Sequence, residues 1–386
     1  MHICFLTNEY PKEGFPHGGI GSFVKTLAVA LVKNGIRVSV VGLNYTSNNE
    51  EETTDGVHIY RLKRSSVKII SWYFNFKAIN KKIKEIHKEN PIDIVEASEL
   101  GLAFIKKIKG IKYIIRLHGG HHFFAEGENR KINRWKGFQE KRSFGKSDAF
   151  IAVSQYVKKH TEKYLSYHNK PLAYINNPIN TELFQPIKTE VPDNRIVFVG
   201  TVCEKKGVRQ LIQSFPFVKK AFPEATLHIY GRDWFFPDGS SYVEMLREKE
   251  LPLLGDAILK AIYFHGAIPF ANIPQVYANA SVCVFPSHIE TQGLVAPEAM
   301  AMEKAVVFTK LGPGPETIQE YQTGLLCDPH SPEDIADKIS WIFSNKEKAK
   351  AIGQAARQSV LVKYGLANIV HQNIDFFKSL LPKSNV

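Results

Sequence analysis

Cysteine is scarce in this chain of 386 residues: Cys4, Cys203, Cys283 and Cys327, none spaced as metal ligands or as a disulfide framework. Three lie in apolar runs, where cysteine behaves as a small buried hydrophobe. That usage suits a reducing, cytoplasmic setting. No run approaches the ~18 apolar residues of a spanning helix. Residues 1–11 lack the basic-then-apolar plan of a secretory signal. No Asp-x-Asp pair offers itself to a divalent cation, and there is no internal repeat or low-complexity tract. Residues 186–386 have no charge surplus, with 21 Lys and Arg against 21 Asp and Glu.

The formal charge of +12 therefore sits wholly in the N-terminal half, where residues 1–185 hold 29 Lys and Arg against 17 acids. That half meets something anionic, or it is simply a soluble basic surface. Nucleic acid fits the charge alone, because the aromatics lie among apolar neighbours and form no stacking module. At 44% hydrophobic and 23% charged, the chain is globular and long enough for two cored domains.

Short apolar, β-rich runs alternate with helical patterns in both halves, which predicts parallel sheets. In the first half, strands are expected at His2–Thr7, Arg37–Gly42, His58–Leu62 (an edge strand), Ile92–Glu96, Lys112–Leu117 and Asp148–Val153. Helices are expected at about Ser22–Asn34, Glu99–Lys109 and Arg130–Lys146, and Asn44–Asp55 reads as an exposed loop. The run Lys63–Lys88 interleaves lysines with Trp72, Tyr73, Phe74 and Phe76. It is either a surface helix covering the sheet or an interfacial segment touching anionic lipid. Gln185–Asn194, with two prolines, reads as a linker. The second half restarts with strands at Arg195–Gly200 and Ala225–Tyr230 around a helix at about Gly207–Ala221.

The stretch Phe285–Met302 organises the chain. An apolar strand, Ser281–Phe285, precedes it and another, Ala305–Thr309, follows. Between them stand Glu290, Gly293 and a helix beginning near Pro297, with Glu298 in its first turn. A crevice at the carboxyl end of a parallel strand is where ligands bind. The N–H groups at Gly293, Leu294 and Val295 would face an anion. Glu290 and Glu298 make sense beside that anion as acceptors for hydroxyls flanking it. The plainer alternatives are a helix cap for Glu298 and a solvated loop acid for Glu290.

This segment, with Glu-x7-Glu followed by Ala299-Met300-Ala301, resembles the donor-site segment of the family 4 retaining glycosyltransferases. The resemblance runs from the Gly18-Gly19 loop to Pro332. It implies an α/β GT-B fold, two Rossmann-like doubly wound domains facing a cleft. The domains would be residues 1–185, with a C-terminal helix at about 365–386 packing back on them, and residues 186–364. The N-terminal domain would take the acceptor and the C-terminal one the nucleotide-sugar. The implied reaction moves a hexosyl group from a UDP- or GDP-sugar to a hydroxyl acceptor, in surface polysaccharide or glycolipid synthesis, without metal or cofactor.

Residue by residue, the resemblance puts Gly18 and Gly19 beside the donor phosphates and His118 at the donor sugar. It puts Lys206 on the leaving diphosphate, Ile268 at the base, Glu290 on sugar hydroxyls and Glu298 on the ribose. His121 and His122 gain no role, and neither completes a metal site. Two positions depart: Gln292 stands where the family has an aromatic residue before the glycine, and Thr201 stands where it has arginine after Gly200. A hydroxyl does not replace a bidentate guanidinium; Thr201 could donate one hydrogen bond to the donor, leaving Lys206 most of the charge, with Arg232, Lys205 or Arg209 able to compensate in part. Thr201 keeps open a non-catalytic nucleotide-sugar or glycan-binding relative. A basic N-terminal half also implies a peripheral contact with an anionic membrane and a lipid-linked acceptor.

Overall fold

The structure is a computed structural model that describes residues 1–15, 18–67 and 69–382. Pro16 and His17 of the expected glycine loop, and Lys68 of the basic run, lie outside the described residues. The chain divides into two compact units. One is Met1–Pro178 with the segment from Leu366, and the other is Ile179–Gly365. The second unit begins before the expected linker: Ile179 and Phe184 are already buried in its core.

The first unit is built on β1 (His2–Leu6), β2 (Arg37–Leu43), β3 (Glu50–Thr54), β4 (Val57–Leu62), β5 (Ile94–Ala97), β6 (Lys112–Leu117), β7 (Ala149–Ala152) and β8 (Leu172–Tyr174). They form one sheet in the order β3-β4-β2-β1-β5-β6-β7-β8. Ile3, Val38, Ile94, Ile114 and Phe150 are fully buried. Both faces of β1, β2, β5, β6 and β7 are covered, which is why these strands read as largely apolar runs. The register sets Ile3 between Val38 and Ile94.

Two expectations fail here. Part of the expected exposed loop, Glu50–Thr54, is strand β3, pairing antiparallel with β4 and taking its place at the sheet edge. Asp55 and Gly56, both with positive φ, make the two-residue turn between them. Residues 99–109 contain no helix. The chain instead makes successive tight turns, and side chains of flanking helices take its backbone groups. Asn80 Nδ2 donates to Phe104 O, Arg142 Nε to Ala103 O and Lys146 Nζ to Ile105 O.

The last helix, Leu366–Leu380, packs on the helix Gly19–Lys33. Beneath it lies a buried polar triad. Arg116 on β6 is fully buried and donates to the Glu96 carboxylate on β5 at 2.7 and 3.1 Å, and to the Asn373 side chain.

The second unit carries β9 (Arg195–Val199), β10 (Thr226–Tyr230), β11 (Ile262–Gly266), β12 (Val282–Phe285), β13 (Val306–Thr309) and β14 (Leu325–Cys327). All are parallel, in the order β11-β10-β9-β12-β13-β14. Successive strands run outward one way from β9 and the other way from β12. The topological switch point therefore lies between β9 and β12, and open parallel sheets bind ligands at the carboxyl ends of such strands.

Candidate functional site

The loops leaving β9 and β12 meet at this switch point. After β9 the chain passes Gly200 and Thr201 into a short 3-10 turn, Glu204–Lys206, and then the helix Val208–Ala221. Gly207 joins them with φ 69°, and a Cβ there would lie 1.9 Å from Pro286 O in the β12 loop. Only glycine allows that approach. His288 N–H donates to Lys205 O at 2.9 Å, a second link between the loops. Glu204 anchors the turn from below, accepting from Tyr242 Oη (2.6 Å), Arg209 Nη2 (2.5 Å) and Gln210 Nε2 (3.2 Å).

These contacts bring Lys206 Nζ onto the Glu290 carboxylate, pairing side chains 23% and 9% exposed. Glu290 is therefore not the solvated loop acid of the plainer reading. Gly293, with φ 75°, turns the chain into the helix Val295–Ala301, and a Cβ there would strike the Phe308 ring at 2.6 Å. Leu294 and Val295 form the start of that helix.

Glu298 does not cap it. Its side chain is buried, with Tyr277 Oη donating to Oε2 at 3.4 Å. Burial pushes its carboxyl up to about 8, partly opposed by that hydrogen bond, so it holds its proton at neutral pH. The folded state then binds a proton that the unfolded chain has lost. Stability through this group is full at acid pH and falls as pH rises toward 8. Glu298→Gln is expected to flatten that fall, losing less melting temperature than wild type between about pH 6 and pH 9 in scanning calorimetry. Parallel curves would remove the assignment.

Thr201 Oγ1 lies 3.4 Å from Arg232 Nε, an arginine on the loop after the neighbouring β10. Ile268 is half-buried beyond β11, three strands from β12 and thus roughly 14 Å across the sheet.

The remaining candidates belong to the first unit. Gly18 N–H donates to Glu9 Oε2 at 3.1 Å, so a protein carboxylate engages the amide expected to face a phosphate. Gly19, not Ser22, opens the helix. His118 follows β6 with its ring 4.9 Å from that of Phe23, and burial holds it neutral by pushing its pKa down to about 3. His122 is tied to the buried Glu140 through both its ring Nδ1 and its N–H, and His121 Nε2 accepts from Asn133 N–H. Both histidines are thus held by partners within the first unit. Among the described residues no group of three or more His, Cys, Asp or Glu is placed to hold a metal ion. No described helix is long and apolar enough to cross a membrane.

Sequence reading missed Tyr277, Glu204 and Glu99. Glu99 is buried beside Glu140, and its carboxyl is raised to about 8 by burial, with the Glu140 charge adding to it. No local pattern marks a residue whose environment comes from another segment.

Two α/β units on largely parallel sheets, one with its switch point between β9 and β12, have the architecture of the GT-B class. Residues 180–359 match the model of the glycosyl transferases group 1, and residues 17–183 that of glycosyltransferase family 4. The chain belongs to glycosyltransferase family 4. It is 27% identical to an uncharacterised glycosyltransferase of Methanocaldococcus jannaschii, over 98% of each chain. A GDP-mannose-dependent phosphatidylinositol monomannoside mannosyltransferase of Mycobacterium tuberculosis is 25% identical over 54% of this chain and 56% of that one. Among solved structures, sucrose-phosphate synthase of Thermosynechococcus elongatus superposes with TM-score 0.84 at 19% identity, over 98% of both chains. Anabaena HepE in complex with UDP and glucose gives TM-score 0.78 at 16% identity, over 98% of this chain and all of the other.

Proposed function

We propose that this glycosyltransferase moves a hexosyl group from a UDP- or GDP-linked sugar to a hydroxyl acceptor, with retention of anomeric configuration and without a metal. The observation that carries the reading is the Lys206–Glu290 pair at the β9–β12 switch point. Lys206 meets the departing diphosphate, and Glu290, oriented by that lysine, accepts from the donor sugar's hydroxyls. Glu298, protonated and backed by Tyr277, binds the ribose. Backbone N–H groups at Leu294 and Val295 complete the diphosphate's surroundings, and the backbone near Ile268 takes the base. Gly18 and Gly19, with the Gly18 amide on Glu9, and the neutral His118 are the first unit's candidates for contact with the substrate. Charge developing on the leaving group is stabilised by groups already in place. The UDP complex of HepE and the GDP-mannose dependence of the mycobacterial relative support a nucleotide-sugar donor.

The test is proton NMR of the reaction with donor and a lipid-linked or sugar acceptor. Product whose anomeric coupling matches that of the donor is expected; an inverted anomer would contradict the mechanism. Donor binding without any product would favour the non-catalytic relative that Thr201 keeps in view.

The acceptor is lipid-linked or otherwise anionic on this reading. Tyr73, Phe74, Trp135 and Phe138 are exposed on the basic unit, and the Trp72 and Trp135 rings lie 5.4 Å apart, joining the helices Ser71–Glu89 and Arg134–Lys146. Such a face suits aromatic insertion with lysines at anionic headgroups. The protein is expected to sediment with phosphatidylglycerol-containing vesicles at low salt and to be released at high salt. Equal behaviour with neutral vesicles would remove this contact.

A further inference from the structure

We propose that Arg232 is the second cation on the donor diphosphate, taking over from the β10 loop the task that Thr201 cannot perform on the β9 loop. The assignment rests on the donor reading above. A nucleoside diphosphate brings at least two negative charges, whereas the Lys206 charge is already balanced by Glu290. Arg209 is committed to Glu204 and Glu250. Arg232 differs from both. Its guanidinium is exposed, and no carboxylate among the described residues forms an ion pair with it.

Its position is fixed from beneath. Gly200 N–H donates to Tyr230 O and Val202 N–H to Arg232 O, each at 2.9 Å. A Cβ on Gly231 would lie 1.7 Å from Gly200 O, so the two backbones touch where Arg232 begins. The side chain then turns back over the neighbouring loop, bringing Nε to 3.4 Å from Thr201 Oγ1. β10, β9 and β12 are adjacent, so Arg232, Thr201, Lys206 and Glu290 all follow the carboxyl ends of three neighbouring strands. A guanidinium held there presents its fork to two phosphate oxygens, with the Thr201 hydroxyl beside it as one more donor.

Titration calorimetry tests this with UDP, GDP, uridine and guanosine on wild type, Arg232→Ala, Glu298→Ala and the double variant Thr201→Arg/Arg232→Ala. Arg232→Ala is expected to weaken binding of the preferred diphosphate by about tenfold or more, as loss of a charged hydrogen bond does. It should leave nucleoside binding and melting temperature unchanged, because the side chain is exposed. The double variant should recover most of the loss. If Arg232→Ala binds the diphosphate as wild type does while Glu298→Ala has lost it, the assignment is overturned and the donor site stands. A wild type that binds neither diphosphate removes both.

Discussion

Lys206→Ala is expected to lower turnover by about 10²–10³-fold, the scale on which removal of one preorganised group facing developing charge is felt. Two losses combine in this variant. On the proposed reading the leaving diphosphate loses a cation, and Glu290, only 9% exposed, loses the partner that offsets its charge. An unpaired carboxylate beside a diphosphate repels it, so apparent donor affinity falls as well as kcat. Glu290→Gln keeps the hydrogen-bonding shape without the charge and is expected to bind the diphosphate at least as well as wild type while transferring sugar more slowly. Steady-state kinetics separate these effects. Turnover within tenfold of wild type in Lys206→Ala would show that the pair is structural.

Arg116→Met is expected to be the most damaging change for stability. It leaves Glu96 buried without a countercharge and strips Asn373 of its partner. Breaking a buried pair in this way costs about 3–5 kcal/mol. For a unit of this size, that is a fall in melting temperature of roughly 10 °C. The double variant Glu96→Gln/Arg116→Met is expected to regain part of it, since no buried charge remains. Asn373 lies on the helix Leu366–Leu380, so limited proteolysis of the single variant should cut first near Gly365. A loss of less than about 2 °C would mean that water reaches Glu96.

The central strands were legible in the sequence because they are buried on both faces, so each apolar run announces itself without reference to its neighbours; β8 and β11, partly exposed, did not. The Glu290–Glu298 motif was legible because both acids lie on one loop and helix start. Strand β3 was not, since Glu50–Thr54 is polar and exposed; the Asp55-Gly56 turn was the available signal. The turns at residues 99–109 passed for a helix because Leu102 and Ile105 mimic its spacing, whereas the side chains binding those carbonyls come from distant segments. The same limit hid the long-range contacts of the candidate site. Lys206 and Glu290 stand 84 positions apart, and Thr201 and Arg232 stand 31 apart. Strand order makes them neighbours, and hydropathy patterns do not encode strand order. The family resemblance did flag the departure at Thr201, and it named Arg232, Lys205 and Arg209 as cations that could compensate in part without placing any of them.

The donor site in the second unit is the centre of this account, and a thermal-shift panel of nucleotide-sugars on wild type and Glu298→Ala tests it most directly. A ligand that binds only the folded state raises the melting temperature by mass action, by about 2.7 kcal/mol of stability at a hundredfold excess over Kd. One UDP- or GDP-sugar is expected to stabilise wild type clearly and to leave Glu298→Ala unmoved, naming base and sugar together. A wild type indifferent to every donor, or a variant shifted as far as wild type, would contradict the placement of the donor at Glu290 and Glu298.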